Sequence, residues 1–328
     1  MKRLWLFSAR QNNDGAWPMA MNRLLLPKTM QDIDARVERV LKGLGNPEPP
    51  IQLVQVRELL KLDIGYYTAD DPGLVREVIS RIRVAGMQVF QRPTLLLDAI
   101  SKMSLKALYV PDGKRILLDK ALPPLKHRWN EAHEVGHSLL PWHDDAMLGD
   151  NSHTLSRDCH EQVEAEANFA AGRLLFLRDK FGDEARDHAA SIATVRALNK
   201  RFGNTISTTL YRFVEATGTT LPLIGMITEG HPHISKRPAT FVPGRPCKHF
   251  IRSPAFAQRF ARVDERVVFE AVTAYSGPQK AGPLGQSELL LMDDNGDQHT
   301  FVFETFFNRY DALTLGVYIR PYFRAVAV

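Results

Sequence analysis

Two cysteines in 328 residues, Cys159 and Cys247, are too few and too far apart for a disulfide scaffold. Neither belongs to a Cys-x-x-Cys pair, which also speaks against a thiolate metal site. No apolar run approaches the roughly 18 to 20 residues that would cross a bilayer. The first residues, Met1 to Ser8, start like a signal peptide, but Gln11-Asn12-Asn13-Asp14 ends the apolar stretch early. The expected location is cytoplasmic, with no membrane partner. A strong excess of one charge is also missing. The net +5 permits contact with nucleic acid or an acidic partner without requiring it. No internal repeat is present. What remains, 44% hydrophobic and 24% charged residues, is ordinary for a globular chain with room for more than one domain.

Against that plain background His133-Glu134-Val135-Gly136-His137 stands out. Two histidines four residues apart share one face of a helix, so both imidazoles can converge on one cation. Glu134 lies roughly 100° around the same helix, beside the metal rather than on it. A carboxylate placed there can take the proton of a water that the metal activates. The motif points to a zinc hydrolase.

The surroundings read as α+β. Ile33, Val37, Val40 and Leu41 recur at helical spacing from about Gln31, and residues 1–29 before them read as a loose tail. Helices are expected at 54–62, 73–84 and 94–103. Residues 107–110 and 115–118 flank Pro111-Asp112-Gly113 as a β-hairpin. Pro123 and Pro124 introduce the motif helix, expected over 125–140 and stopped by Pro141. A polar loop covers 143–158, and a second strong helix spans 159–179. Residues 187–202 and 206–217 have a helix-turn-helix-like spacing around Gly203-Asn204. Prolines 232, 238, 243 and 246 suggest an extended arm, and strands are expected at 266–274, 287–292, 299–305 and 314–323. The expected organisation is a tail at 1–29, a mainly helical zincin-like domain with a small β-hairpin at 30–182 and a helical segment at 183–228. A linker at 229–248 and a β-rich α+β domain at 249–328 complete it, the last serving as a sensor or docking module.

A catalytic zinc takes three protein ligands and keeps one position open. Two candidates compete for the third. His143 completes a His-Glu-x-x-His-x-x-x-x-x-His spacing like that of metzincins, but Leu140-Pro141 stands where that family uses a glycine for its turn. Glu164 lies on the second helix, four residues before Asn168, whose amide could orient a ligand. Ala167, Ala170 and Ala171 would let that helix pack closely on the first. Glu161 and Glu166 read as members of solvated faces. His143, His153, His160 and Tyr211 are candidates to stabilise an oxyanion.

The segment Arg128-Trp129-Asn130-Glu131-Ala132-His133-Glu134-Val135-Gly136-His137, followed by Glu164-Ala165-Glu166-Ala167-Asn168-Phe169-Ala170-Ala171-Gly172-Arg173-Leu174-Leu175, resembles the ImmA/IrrE family of metallopeptidases. The likeness covers about residues 50–220. It lacks the family's proline soon after Leu175 and inserts the 143–158 loop. Carried over, it implies Zn2+ held by His133, His137 and Glu164, with Glu134 as catalytic base. It further implies a narrow protein substrate, a helix-turn-helix repressor, cleaved in stress response or mobile-element control. The alternative is a DNA- or partner-binding regulator with a structural or vestigial zinc site. Arg196, Lys200, Arg201 and Arg212 could meet phosphates. The seven Lys or Arg from Lys236 to Arg262, with no Asp or Glu among them, make a second nucleic-acid candidate, although nucleic acid is not the expected main ligand.

Overall fold

The computed structural model describes residues 25–67, 107–110, 114–120, 124–143 and 157–322. The expected tail up to residue 24, the helices at 73–84 and 94–103, and most of the 143–158 loop lie outside these residues. The chain divides into two compact units after Arg178. The helical segment 183–228 and the region after it therefore share one unit. No described helix is long and apolar enough to cross a membrane.

In the first unit, helix α1 (Pro27–Gly43) begins with proline at its first turn, where the missing N–H costs nothing. It buries Ile33, Val37, Val40 and Leu41, the stripe its spacing predicts. Helix α2 (Leu53–Leu60) leads into strand β1 (Asp63–Tyr67). Strands β2 (Ala107–Val110) and β3 (Arg115–Asp119) form the expected antiparallel pair, and β1 adds parallel to β3. Among the described residues the sheet order β1-β3-β2 leaves β2 at an edge. Helix α3 (Pro124–Leu139) carries the motif and packs on β2, β3 and helix α4 (Arg157–Leu175).

Side-chain size sets how closely α3 and α4 approach. A Cβ on Gly136 would lie 2.7 Å from the Ala167 carbonyl oxygen, so only glycine fits there. Ala167, Ala170 and Ala171 are fully buried on the facing helix. Three ion pairs and bonds brace this pair from earlier in the chain. Arg57 meets Glu131 at 2.7 Å, Arg36 donates to the Leu139 carbonyl at 3.2 Å, and Asp34 accepts from Arg173.

The second unit begins with helices α5 (Lys180–Arg186), α6 (Ile192–Phe202) and α7 (Ile206–Thr217). A five-stranded antiparallel sheet follows, ordered β5-β4-β8-β7-β6. Its strands are β4 (Leu223–Glu229), β5 (His249–Arg252), β6 (Gly282–Met292), β7 (Gln298–Phe307) and β8 (Asp311–Pro321). Helices α8 (Pro254–Arg259) and α9 (Glu265–Tyr275) cover one face, where Phe256, Phe260, Val268, Phe269 and Val272 pack on Ile224, Met226, Phe301 and Phe303. The other face receives α7, with Val214 against Gly225, and α6, with Arg196 over Phe306.

Here one expectation is corrected. Residues 266–274 form helix α9 rather than a strand. Val267, Val268 and Phe269 carry high strand propensity, but Val268 and Val272 are four apart on one buried face, and the Asp264 side chain caps the helix by accepting from the Arg266 N–H.

Candidate functional site

Helix α3 brings His133 and His137 onto one face, and the close α3–α4 crossing sets Glu164 opposite them. The two Nε2 atoms lie 3.1 Å apart. A Glu164 oxygen is 3.2 Å from His133 Nε2, and the other is 3.6 Å from His137 Nε2. Tetrahedral zinc with bonds near 2.0–2.1 Å spaces its ligand atoms about 3.3 Å apart. These three donors match that spacing, and two imidazoles with one carboxylate are a zinc-type donor set. They form the one group of three or more such donors within reach of a common ion among the described residues.

The electrostatics of the site favour a cation. Burial, the largest influence on His133, disfavours its charged form. The bond to Glu164, the charges of Glu134 and Glu164, and the bond to Asn168 outweigh it and push its pKa up to about 9. The same carboxylates, Glu134 and Glu164, would attract a cation held between the donors. Glu134 is buried, and burial pushes its carboxyl up to about 7. The His133 charge opposes that rise, the Glu164 charge adds to it, and the backbone N–H of Tyr109 on the edge strand β2 opposes it by donating to the carboxylate. A carboxyl near neutrality can both accept and return a proton.

Each histidine is oriented through its other nitrogen. Asn168 Oδ1 lies 3.0 Å from His133 Nδ1, so the amide oxygen accepts the Nδ1 proton and Nε2 is the nitrogen turned toward Glu164. His137 Nδ1 meets His143 Nδ1 at 3.0 Å. His143 Nε2 in turn meets Glu166 Oε2 at 3.0 Å.

His143, one of the two candidates for third ligand, thus stands behind His137 and outside the three-donor group. Pro141, Trp142 and His143 form a short helical turn after α3, with the His143 N–H bonded to the Leu140 carbonyl, and this turn folds the ring under the site. Glu166, expected on a solvated face, is 5% exposed. It accepts from Trp142 Nε1 and Gln162 Nε2, each at 2.6 Å, besides His143. Burial works against its charge, but the bonds from His143, Trp142 and Gln162 prevail and hold its pKa below the ordinary value. The sequence carries one signal for this, the four-residue spacing of Gln162 and Glu166, but the bonds from Trp142 and His143 come from a distant part of the chain.

Of the oxyanion candidates, His143 is fully buried and already bonded on both nitrogens. Tyr211 belongs to the second unit, where it is buried with its ring 6.2 Å from that of His249. His153 and the side chains of Glu161 and His160 lie outside the described residues.

The phosphate-binding candidates are largely occupied within their own unit. Arg196 lies 4.6 Å over Phe306, Arg201 pairs with Glu184, and Arg212 pairs with Glu215. In the basic arm, Arg237 lies over both Phe241 and Phe269, Lys248 pairs with Asp311 at 2.8 Å, and Arg252 donates to the Val263 carbonyl. Helix α7, the second of the helix-turn-helix-like pair, buries Leu210, Phe213 and Val214 and packs on β4 and β5.

Residues 83–214 match the family model of the IrrE N-terminal-like domain, Peptidase_M78. No curated protein sequence matches the chain. Among solved structures, a Mycobacterium tuberculosis transcriptional regulator is similar over 92% of this chain and 82% of its own, at 15% identity and a TM-score of 0.49.

Proposed function

Because residues 83–214 place the chain in the ImmA/IrrE family of metallopeptidases, we propose that it is a zinc-dependent endopeptidase with a narrow protein substrate. The observation that carries this reading is the convergence of His133 Nε2, His137 Nε2 and the Glu164 carboxylate within 3.1 to 3.6 Å, with the Glu134 carboxyl buried beside them. The substrate proposed is a helix-turn-helix repressor, whose removal switches on stress-response or mobile-element genes.

His133, His137 and Glu164 are the proposed ligands of Zn2+. Zinc held there would polarise the scissile carbonyl and acidify the attacking water. Glu134, buried beside these residues, would take the proton of that water and hand it to the departing amine. The Tyr109 N–H holds the Glu134 carboxylate from the side of β2. Asn168 fixes the His133 tautomer that presents a lone pair rather than a proton to the cation. A structural zinc site has no use for Glu134, which weighs against the regulator reading.

The test is co-expression with candidate repressors, comparing the parent chain with Glu134→Gln. A defined fragment pair formed by the parent and lost in Glu134→Gln supports the reading. Equal cleavage by both proteins, with zinc bound to both, overturns the role of Glu134.

A further inference from the structure

The hydrogen bonds behind His137 leave a single consistent placement of protons, and that placement assigns work to two residues outside the donor set. If His137 offers Nε2 to a cation, its own proton must sit on Nδ1. The atom facing that proton, 3.0 Å away, is His143 Nδ1, which must then accept. His143 consequently carries its proton on Nε2, where Glu166 Oε2 accepts it at 3.0 Å. Glu166 has no lone choice of geometry, because Trp142 Nε1 and Gln162 Nε2 clamp its two oxygens at 2.6 Å each. The line from His137 to Glu166 is closed to water, with His143 0% and Glu166 5% exposed.

We infer that His143 and Glu166 form a positioning relay for His137, in which a buried carboxylate acts on the metal ligand through an intervening imidazole. A metal-ligating histidine ordinarily gives its second N–H directly to a carboxylate, a carbonyl or water. Here the carboxylate sits one ring further out, and the relay spans two helices and the turn between them. His137 is on α3, His143 on the turn after it, and Glu166 on α4 two residues beyond Glu164. The same stretch of α4 thus supplies a proposed ligand on one side of His137 and the anchor of its tautomer on the other. Trp142 is held in turn by Arg36 of α1, whose guanidinium lies 5.0 Å over the indole. A buried negative charge at the end of the relay raises the electron density offered by His137 Nε2 and strengthens its hold on a cation.

This inference rests on the zinc site proposed above, and its test separates the two. Zinc affinity is measured by competition with a chromophoric chelator, and the visible spectrum of the cobalt(II) form reports ligand geometry. Two variants are compared with the parent: His143→Phe, which keeps the ring volume but cannot accept the His137 proton, and Glu166→Gln, which keeps the shape but removes the charge. Thermal melting of the metal-free proteins monitors the fold. The expected result is a loss of zinc affinity of about tenfold to a hundredfold in each variant. The cobalt(II) spectrum should be altered in His143→Phe, with Glu166→Gln melting close to the parent. Should His143→Phe fail to fold, Glu166→Gln decides alone. Variants that fold and bind zinc within twofold of the parent overturn the relay while leaving the zinc site standing. A parent protein that binds no zinc overturns both.

Discussion

The α-carbon of Gly136 faces the carbonyl of Ala167 so closely that a Cβ there would fall 2.7 Å from the oxygen. The two helices bearing the proposed ligands touch at this point, and the contact lies between His133 and His137 on one helix and one turn past Glu164 on the other.

Gly136→Ala tests that contact. Alanine would gain up to about 1 kcal/mol of helix propensity over glycine. Forcing the helices apart costs about 1 to 3 kcal/mol, so destabilisation should win. The expected outcome is a lower melting temperature together with weaker zinc binding, since the separation that accommodates the methyl also carries Glu164 away from the histidines. A variant that melts higher than the parent and binds zinc equally well would show that the helices have slack at this point.

Asn168→Ala removes the acceptor for His133 Nδ1 without touching a proposed ligand. Zinc affinity should drop about tenfold to a hundredfold, as for other outer-shell partners of metal-ligating histidines. Asn168→Asp keeps an acceptor oxygen and should retain most of the affinity. Chelator competition on the three proteins gives the order parent, Asp, Ala. Equal affinities would mean that His133 is oriented by packing alone.

Glu304, in the second unit, provides a prediction that does not involve zinc. Burial raises its pKa, and the N–H of Ile192, which donates to its carboxylate at 2.6 Å, only partly offsets this. The folded protein therefore holds this proton more tightly than the unfolded chain does. The stability it contributes is fully present below the ordinary value of 4.5 and is lost as pH rises through the raised folded value. Glu304→Gln should lack this loss. The difference in melting temperature, variant minus parent, should grow from acid toward neutral pH, and a difference independent of pH would refute the assignment.

Local signals in the chain mark the described elements around the motif. The motif helix, the hairpin and the second helix each have a period or a breaker readable within about 15 residues, and α3, β2, β3 and α4 formed where those signals lay. Elements defined by distant partners were harder to read. Strand β4 is buried on both faces, so its Leu-Ile-Gly-Met-Ile run shows no alternation. Strand β5 follows a proline-rich stretch and exists because it pairs with β4. The Val-Val-Phe of α9 was decided by its cap and its buried face rather than by propensity. At the candidate site, the converging trio was legible from spacing and family resemblance, whereas the burial of Glu166 was not. Its fate depends on Trp142 and His143 turning back over α4, more than 20 residues away in the chain.

The braces on α3 and α4 draw a boundary that sequence likeness does not. The family match begins at residue 83, but Asp34, Arg36 and Arg57, which hold Arg173, Leu139 and Glu131, all precede it. The match ends at residue 214, inside α7. A fragment trimmed to the recognisable region would keep every proposed ligand while discarding the clamps on their helices. Its silence in a zinc or cleavage assay would measure the trimming, and a fragment for such assays should begin no later than Pro27.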